Sequence, residues 1–353
     1  MKSVTFVLIP DGGTPCGGIK IVYEYANRLV ERGWQVKIGY DCRRVGEHRH
    51  IPWPIKKVLV RLVSEIRRIH NPRWFFLSNQ VKKFCIFSDD DVVCSDNIVA
   101  TAYGTVDIVI KTNNCKKIYL IQGFENWDGR SSEAVKETYR LGMENIVIAK
   151  WLKDIVDESC GNNNSTLIPN GLDMQEFSMD ISPEERKVKR ISMLYHQGEY
   201  KGSRYGIQVL IELKKRYPDL QAVLFGVPKR PADLPAWIEY VQNASSVQLR
   251  KIYNESQIFL YPTLEEGFGL TCVESMACGC ALCVTNYRGA REFAVAEENA
   301  LISPVKDIEA MIKNACRLLD NTELRCRLAR QGIEKAKEFA WDATIEMFEK
   351  ILR

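Results

Sequence analysis

From its first residues to its last quarter, the chain alternates short apolar runs with segments of helical period. An apolar run bounded by turn residues marks a strand buried on both faces, as happens where helices cover a parallel sheet. Residues 4–9 are such a run. A glycine-rich loop follows, Asp11-Gly12-Gly13-Thr14-Pro15-Cys16-Gly17-Gly18, and then Ile19, Val22, Tyr23, Ala26, Leu29 and Val30 fall on one helix face. Gly33 ends that helix and residues 34–39 form a second strand, completing a β-α-β unit. In open α/β sheets ligands bind at the carboxyl ends of the strands, where this loop lies.

Further strands are expected at 92–93, 106–110, 118–121 and 145–149, after which Ile168-Pro169-Asn170-Gly171 closes a first half. A second series then begins. Strands are expected at 191–195, 222–225, 258–260 and 281–284, and helices at 205–216, 270–278, 305–319, 323–339 and 342–352. The polar stretch 180–190 reads as linker. A chain of 353 residues exceeds the ~250 at which single cores stop growing. The expected architecture is therefore two Rossmann-like α/β domains facing across a cleft, residues 1–170 and 171–341, with a final helix at about 342–353.

Composition excludes several classes. With 46% hydrophobic and 27% charged residues, the chain is neither disordered nor collagen-like. No stretch approaches the ~20 apolar residues of a membrane span, and the opening run is too short for a signal peptide. Twelve scattered cysteines without an export signal fit a reducing cytoplasm and free thiols. Cys272, Cys278, Cys280 and Cys283 lack the paired spacing of a structural zinc site and are read as buried packing thiols.

The most informative stretch runs Tyr261-Pro262-Thr263-Leu264-Glu265-Glu266-Gly267-Phe268-Gly269-Leu270-Thr271-Cys272-Val273-Glu274. It reads as a strand end, a tight loop and a helix start. Glycines let backbone amides approach a ligand closely, and a helix N-terminus suits a diphosphate. A carboxylate within that helix can accept hydrogen bonds from vicinal hydroxyls. Glu266 and Glu274 have seven residues between them. That spacing, opened by Glu-Gly-Phe-Gly-Leu, resembles the signature of GT-B glycosyltransferases of the retaining family 4 type.

The resemblance implies that Glu274 holds the nucleotide ribose and Glu266 contacts the donor sugar. It places Gly17 and Gly18 near the donor phosphates, and makes Lys201, in Lys201-Gly202, a phosphate ligand. It adds the amides of Gly267, Phe268, Gly269 and Leu270 to the donor site. Pro169-Asn170-Gly171-Leu172-Asp173 is similar to the segment where the two domains join. Phe339-Ala340-Trp341-Asp342 is similar to the one before a final helix that crosses back to the first domain. That domain is then the acceptor side and 171–341 the nucleotide-sugar side.

Two departures bear on the site. Where the family carries an arginine five residues before the lysine, this chain has His196, and Arg204 stands as a substitute source of charge. Where many members have a histidine near the sugar, it reads Gln122-Gly123-Phe124-Glu125. That form resembles bacterial rhamnosyltransferases of surface-polysaccharide assembly, and makes Gln122 and Glu125 candidates on the acceptor side, Glu125 with a catalytic role beside Glu266.

Weaker signals point elsewhere. Asp89-Asp90-Asp91 contains the Asp-x-Asp of metal-dependent GT-A enzymes but precedes a strand as an exposed turn, so neither metal nor other cofactor is expected. Glycines 12, 13, 17 and 18 make neither a dinucleotide fingerprint nor a P-loop. Residues 43–86 carry eleven Lys/Arg against two Glu, a net of +9 within a total of +4. Interleaved Trp53, Trp74, Phe75 and Phe76, and a helix face of Val58, Leu59, Leu62, Ile66 and Ile69, fit contact with anionic lipid. No nucleic-acid motif accompanies that charge.

The expected activity is transfer of a sugar, with retention, from a nucleotide-diphosphate donor to a hydroxyl of a glycan or lipid-linked acceptor. Its expected place is the cytoplasm, peripheral to the inner face of the plasma membrane. A GT-B sugar-nucleotide epimerase and a catalytically silent partner subunit are the alternatives.

Overall fold

The computed structural model describes residues 2–10, 13–43, 58, 62, 72–93, 95–126 and 129–353. They fall into two compact units, Met1–Pro169 with Ile345–Arg353, and Asn170–Thr344.

In the first unit the elements run β1 (Ser3–Leu8), α1 (Gly17–Glu31), β2 (Gln35–Asp41), β3 (Lys82–Ile86), β4 (Asn97–Ala100), α2 (Val106–Lys111), β5 (Lys116–Ile121), α3 (Ser132–Tyr139), β6 (Glu144–Val147), α4 (Lys150–Cys160) and β7 (Thr166–Leu167). The strands form one sheet in the order β3-β2-β1-β4-β5-β6-β7, parallel throughout. Every residue of β1 is buried, as its apolar run requires. Because β1 lies between β2 and β4, the strand order reverses there, which is where open α/β sheets place their ligand sites, at the carboxyl ends of the strands.

Two expectations fail in this unit. Residues 92–93 are not a strand; the strands lie on either side, as β3 and β4. Residues 106–110 are helical. Short apolar runs do not discriminate helix from strand, and here the preceding turn decides. Thr105 Oγ1 accepts from the amides of Thr101 (3.0 Å) and Ala102 (3.2 Å), so the chain enters residue 106 already turning. Most of the basic segment, and with it Leu59, Ile66 and Ile69 of the apolar face, lies outside the described residues.

The second unit continues with β8 (Arg190–Leu194), α5 (Ser203–Arg216), β9 (Gln221–Gly226), β10 (Ile238–Gln242), α6 (Ser246–Glu255), β11 (Ile258–Tyr261), α7 (Leu270–Ala277), β12 (Ala281–Thr285), β13 (Ala300–Ser303), α8 (Ile308–Asp320) and α9 (Thr322–Lys337). Its parallel sheet has the order β10-β9-β8-β11-β12-β13, so its reversal falls between β8 and β11. Residues 180–190 are not linker. Arg186 is 5% exposed and donates to the carbonyls of Ile181 (2.8 Å), Tyr253 (3.2 Å), Ser256 (2.6 Å) and Cys278. An arginine that satisfies helix-end carbonyls is buried despite its charge, which a reading by polarity misses.

A last helix, α10 (Trp341–Leu352), contributes Ile345–Leu352 to the first unit. There the Phe348 ring stands 6.1 Å from Phe6 and 4.2 Å from Tyr25.

Candidate functional site

The two strands flanking the reversal of the second sheet bring separate stretches of sequence together. After β8 come His196 and Lys201; after β11 comes the loop 262–269. The loop is pinned to the first stretch by the amides of Leu264 (2.8 Å) and Glu265 (3.2 Å), which both donate to Tyr200 O. Gly202, at φ +63°, makes this approach possible, because a Cβ there would lie 2.0 Å from Pro262 O.

Lys201 Nζ lies 2.6 Å from Glu266 Oε1, and the Tyr261 hydroxyl donates to Glu266 Oε2. Farther along, Gly269 adopts φ +124°, a conformation that favours glycine, and starts α7. Its neighbour Phe268 is buried against Phe293 (5.8 Å) and Phe339 (5.3 Å), while Tyr287 OH donates to Phe268 O at 2.9 Å. Glu274, 5% exposed within α7, accepts from Tyr253 OH at 3.4 Å, a long contact for a hydroxyl on a carboxylate.

His196 is a neutral donor. The Gly198 amide donates to its Nδ1 at 2.8 Å, which leaves the ring proton on Nε2. Burial, and then the charge of Lys201, lower its pKa below the ordinary histidine value. Arg204 is engaged at the surface by Glu199 (2.9 Å) and by the hydroxyl (2.6 Å) and ring of Tyr205. A cation the spacing did not indicate is Arg288, on the connection from β12 to β13, paired with Glu265 at 3.0 Å. A Cβ at the adjacent Gly289 would lie 2.7–2.8 Å from the carbonyls of Glu266, Gly267 and Phe268, so this backbone runs directly beneath the loop.

In the first unit, residues after β1, β4 and β5 meet in the same way. A Cβ at Gly18 would touch the Gln122 amide at 3.4 Å, and Gln122 Nε2 donates to Thr101 O at 3.3 Å. Gly17 and Gly18 open α1. Glu125 Oε1 accepts from the Tyr103 amide at 3.0 Å, and Arg130 stacks 4.9 Å over the Tyr103 ring. Burial raises the Glu125 carboxyl above the ordinary carboxylate range.

The acidic triplet is used locally. Asp89 pairs with Lys111 (2.8 Å) and Arg43 (3.4 Å), and Asp91 caps the turn begun by Ser88. Cys272, Cys278, Cys280 and Cys283 are buried free thiols. Among the described residues no group of three or more His, Cys, Asp or Glu side chains could hold a metal ion. No described helix is long and apolar enough to cross a membrane. Of the aromatic residues in the basic segment, Trp74 and Phe75 pack on Tyr23 (5.8 and 5.5 Å) and Phe76 is 80% exposed.

Comparison with known proteins places this geometry. Residues 174–335 match the family model described as Glycosyl transferases group 1. An uncharacterized glycosyltransferase of Methanocaldococcus jannaschii is 25% identical over 98% of this chain and 97% of its own length. The O-antigen chain mannosyltransferase B of Escherichia coli is 28% identical over 30% of this chain, which spans only 27% of that protein. Phosphatidyl-myo-inositol mannosyltransferase of Mycolicibacterium smegmatis is 23% identical over 49% of this chain and 48% of its own length. Among solved structures, a sucrose-phosphate synthase from Thermosynechococcus elongatus superposes with a TM-score of 0.78 at 14% identity, covering 99% of this chain and 98% of that one. HepE of Anabaena, in complex with UDP and glucose, gives 0.75 at 13% identity, covering 100% and 99%. Residues 174–335 thus make up a glycosyl transferases group 1 domain, carried in a chain with the GT-B fold.

Proposed function

We propose that the chain is a retaining glycosyltransferase. It moves a hexosyl or deoxyhexosyl group from a nucleotide-diphosphate sugar to a hydroxyl of a glycan or lipid-linked acceptor in bacterial surface-polysaccharide assembly, working peripherally at the cytoplasmic face of the membrane. The observation that carries this reading is the Lys201–Glu266 pair at the strand-order reversal of the second sheet, one turn-and-helix away from the buried Glu274. A relative named an O-antigen chain mannosyltransferase supports a glycan acceptor, and HepE, solved with UDP and glucose, supports a nucleotide-sugar donor.

In this reading Glu274 accepts from the ribose hydroxyls and Glu266 from the sugar. Lys201 and the amides of residues 267–270, at the positive end of α7, hold the diphosphate, while His196 Nε2 adds a neutral donor. Arg204 stays on the surface with Glu199. As the C1–O bond to phosphate breaks, the acceptor oxygen bonds to C1 from the same face and its proton passes to the departing phosphate oxygen. The protein then needs no nucleophile, and stabilising the developing diphosphate charge is its main contribution. Gln122 and Glu125 face the acceptor.

Glu274→Ala tests the donor assignment. Charge-assisted hydrogen bonds are worth about 1.5–3 kcal/mol each, so affinity for UDP, GDP or dTDP, whichever stabilises the wild type, should fall by roughly 10-fold or more. Near-normal affinity and turnover in that variant would sink the reading. Incubation of labelled sugar nucleotides with and without lipid-linked acceptor separates transfer from epimerisation.

A further inference from the structure

The two oxygens of Glu266 are taken by different elements, Oε1 by Lys201 and Oε2 by Tyr261. The two partners are unlike. Lys201 is a flexible cation whose charge a diphosphate would also attract. Tyr261 ends β11, is 1% exposed, and is wedged between the rings of Phe259 (5.7 Å) and Tyr287 (5.8 Å). Burial, followed by the charge of Glu266, pushes its phenol pKa well above the usual value, so it stays a protonated donor across the physiological range. A carboxylate oxygen accepts about two hydrogen bonds, so each Glu266 oxygen keeps room for a sugar hydroxyl beside its anchor.

We propose that Tyr261 is a positioning residue, holding the Glu266 carboxylate in one orientation while a bound donor draws on Lys201, and so setting how the sugar is presented for transfer. The inference rests on the reading of Glu266 as the sugar contact. Terminal carboxylate torsions are broad, so Glu266 without this bond swings about its last torsion. A misplacement of ~1 Å at a reacting group can cost on the order of 100-fold in rate.

The test compares Tyr261→Phe and Glu266→Gln in the full chain. UDP and GDP serve as nucleotide probes, and UDP-, GDP- and dTDP-hexoses as donors, with nucleotide release, thermal unfolding and calorimetric affinity read on each protein. In Tyr261→Phe the Kd for UDP or GDP should stay within about twofold, since the proposed reading gives Glu266 to the sugar rather than the nucleotide, while nucleotide release from the cleaved donor falls tenfold or more with little change in KM. Release within twofold of the wild type, with Glu266→Gln impaired, overturns the role of Tyr261 and leaves that of Glu266 standing. Normal release in Glu266→Gln, or a wild-type chain that cleaves none of the donors, overturns both. A lowered melting temperature with parallel loss of nucleotide binding marks Tyr261 as a packing residue and also overturns the proposal.

Discussion

Glu125 illustrates how one half-buried carboxyl ties stability to acidity. Its neighbours are an amide donor, Tyr103 N, and the Arg130 guanidinium, yet burial outweighs both and its pKa is raised. The native state therefore holds the proton more tightly than the unfolded chain. The stability this group contributes is complete below the ordinary carboxyl value of 4.5 and is lost as pH rises through the raised native value. Glu125→Gln keeps the acceptor for Tyr103 N and removes the titration. It should melt at or above the wild-type temperature at pH 7, with the difference vanishing near pH 4. A variant that melts lower than wild type at pH 7 contradicts this account. His196 is the opposite case: its lowered pKa keeps it neutral at pH 7, a hydrogen-bond donor without charge beside Lys201.

At the scale of elements, the helices that carry the site are held at their far ends. Arg186 spans the carboxyl ends of α6 and α7, taking Tyr253 O, Ser256 O and Cys278 O with one guanidinium. These helices bear Tyr253 and Glu274, so the clamp fixes the side of the site opposite the glycine loop. Removing it leaves several buried carbonyls without a partner, at about 1–3 kcal/mol each, offset in part by relaxation. Arg186→Met should lower the unfolding free energy by roughly 2–5 kcal/mol, seen as a shift of the urea midpoint at unchanged slope. A midpoint equal to that of the wild type would show the carbonyls satisfied by other means.

At the scale of the molecule, charge is unevenly distributed. Residues 43–86 hold +9 while the total is only +4, so the remaining 309 residues sum to −5. Not all of the basic charge is free for a partner, because Arg43 is locked by Asp41 (2.8 Å) and Asp107 (2.9 Å). In the proposed peripheral role, the lysines and arginines at 56, 57, 61, 67 and 68 would meet lipid headgroups, at about 1 kcal/mol each. The chain should sediment with phosphatidylglycerol vesicles at ~0.1 M salt and be released at ~1 M, where the Debye length shrinks to ~3 Å. Replacing those five residues with glutamine should abolish sedimentation at either salt. Equal binding to neutral phosphatidylcholine vesicles would refute an electrostatic contact.

The order of amino acids alone was enough to indicate two parallel α/β units, because strands buried on both faces and amphipathic helices each bear a local periodicity. It was also enough to single out Glu266 and Glu274, whose spacing lies within one strand–loop–helix. The same local rule misread 106–110, where a threonine turn overrode the apolar run, and 180–190, where a buried arginine posed as a solvated one. It was silent on everything that depends on strand order. That Lys201 meets Glu266, that Gln122 meets Gly18, and that Arg288 comes to Glu265 follows from which strands are neighbours in each sheet. The buried tyrosines that hold the two glutamates belong to the same class, since a phenol's partner is chosen by the packed core. Periodicity is a property of consecutive residues, whereas the site is an adjacency between distant ones, and only burial of the whole sheet creates it.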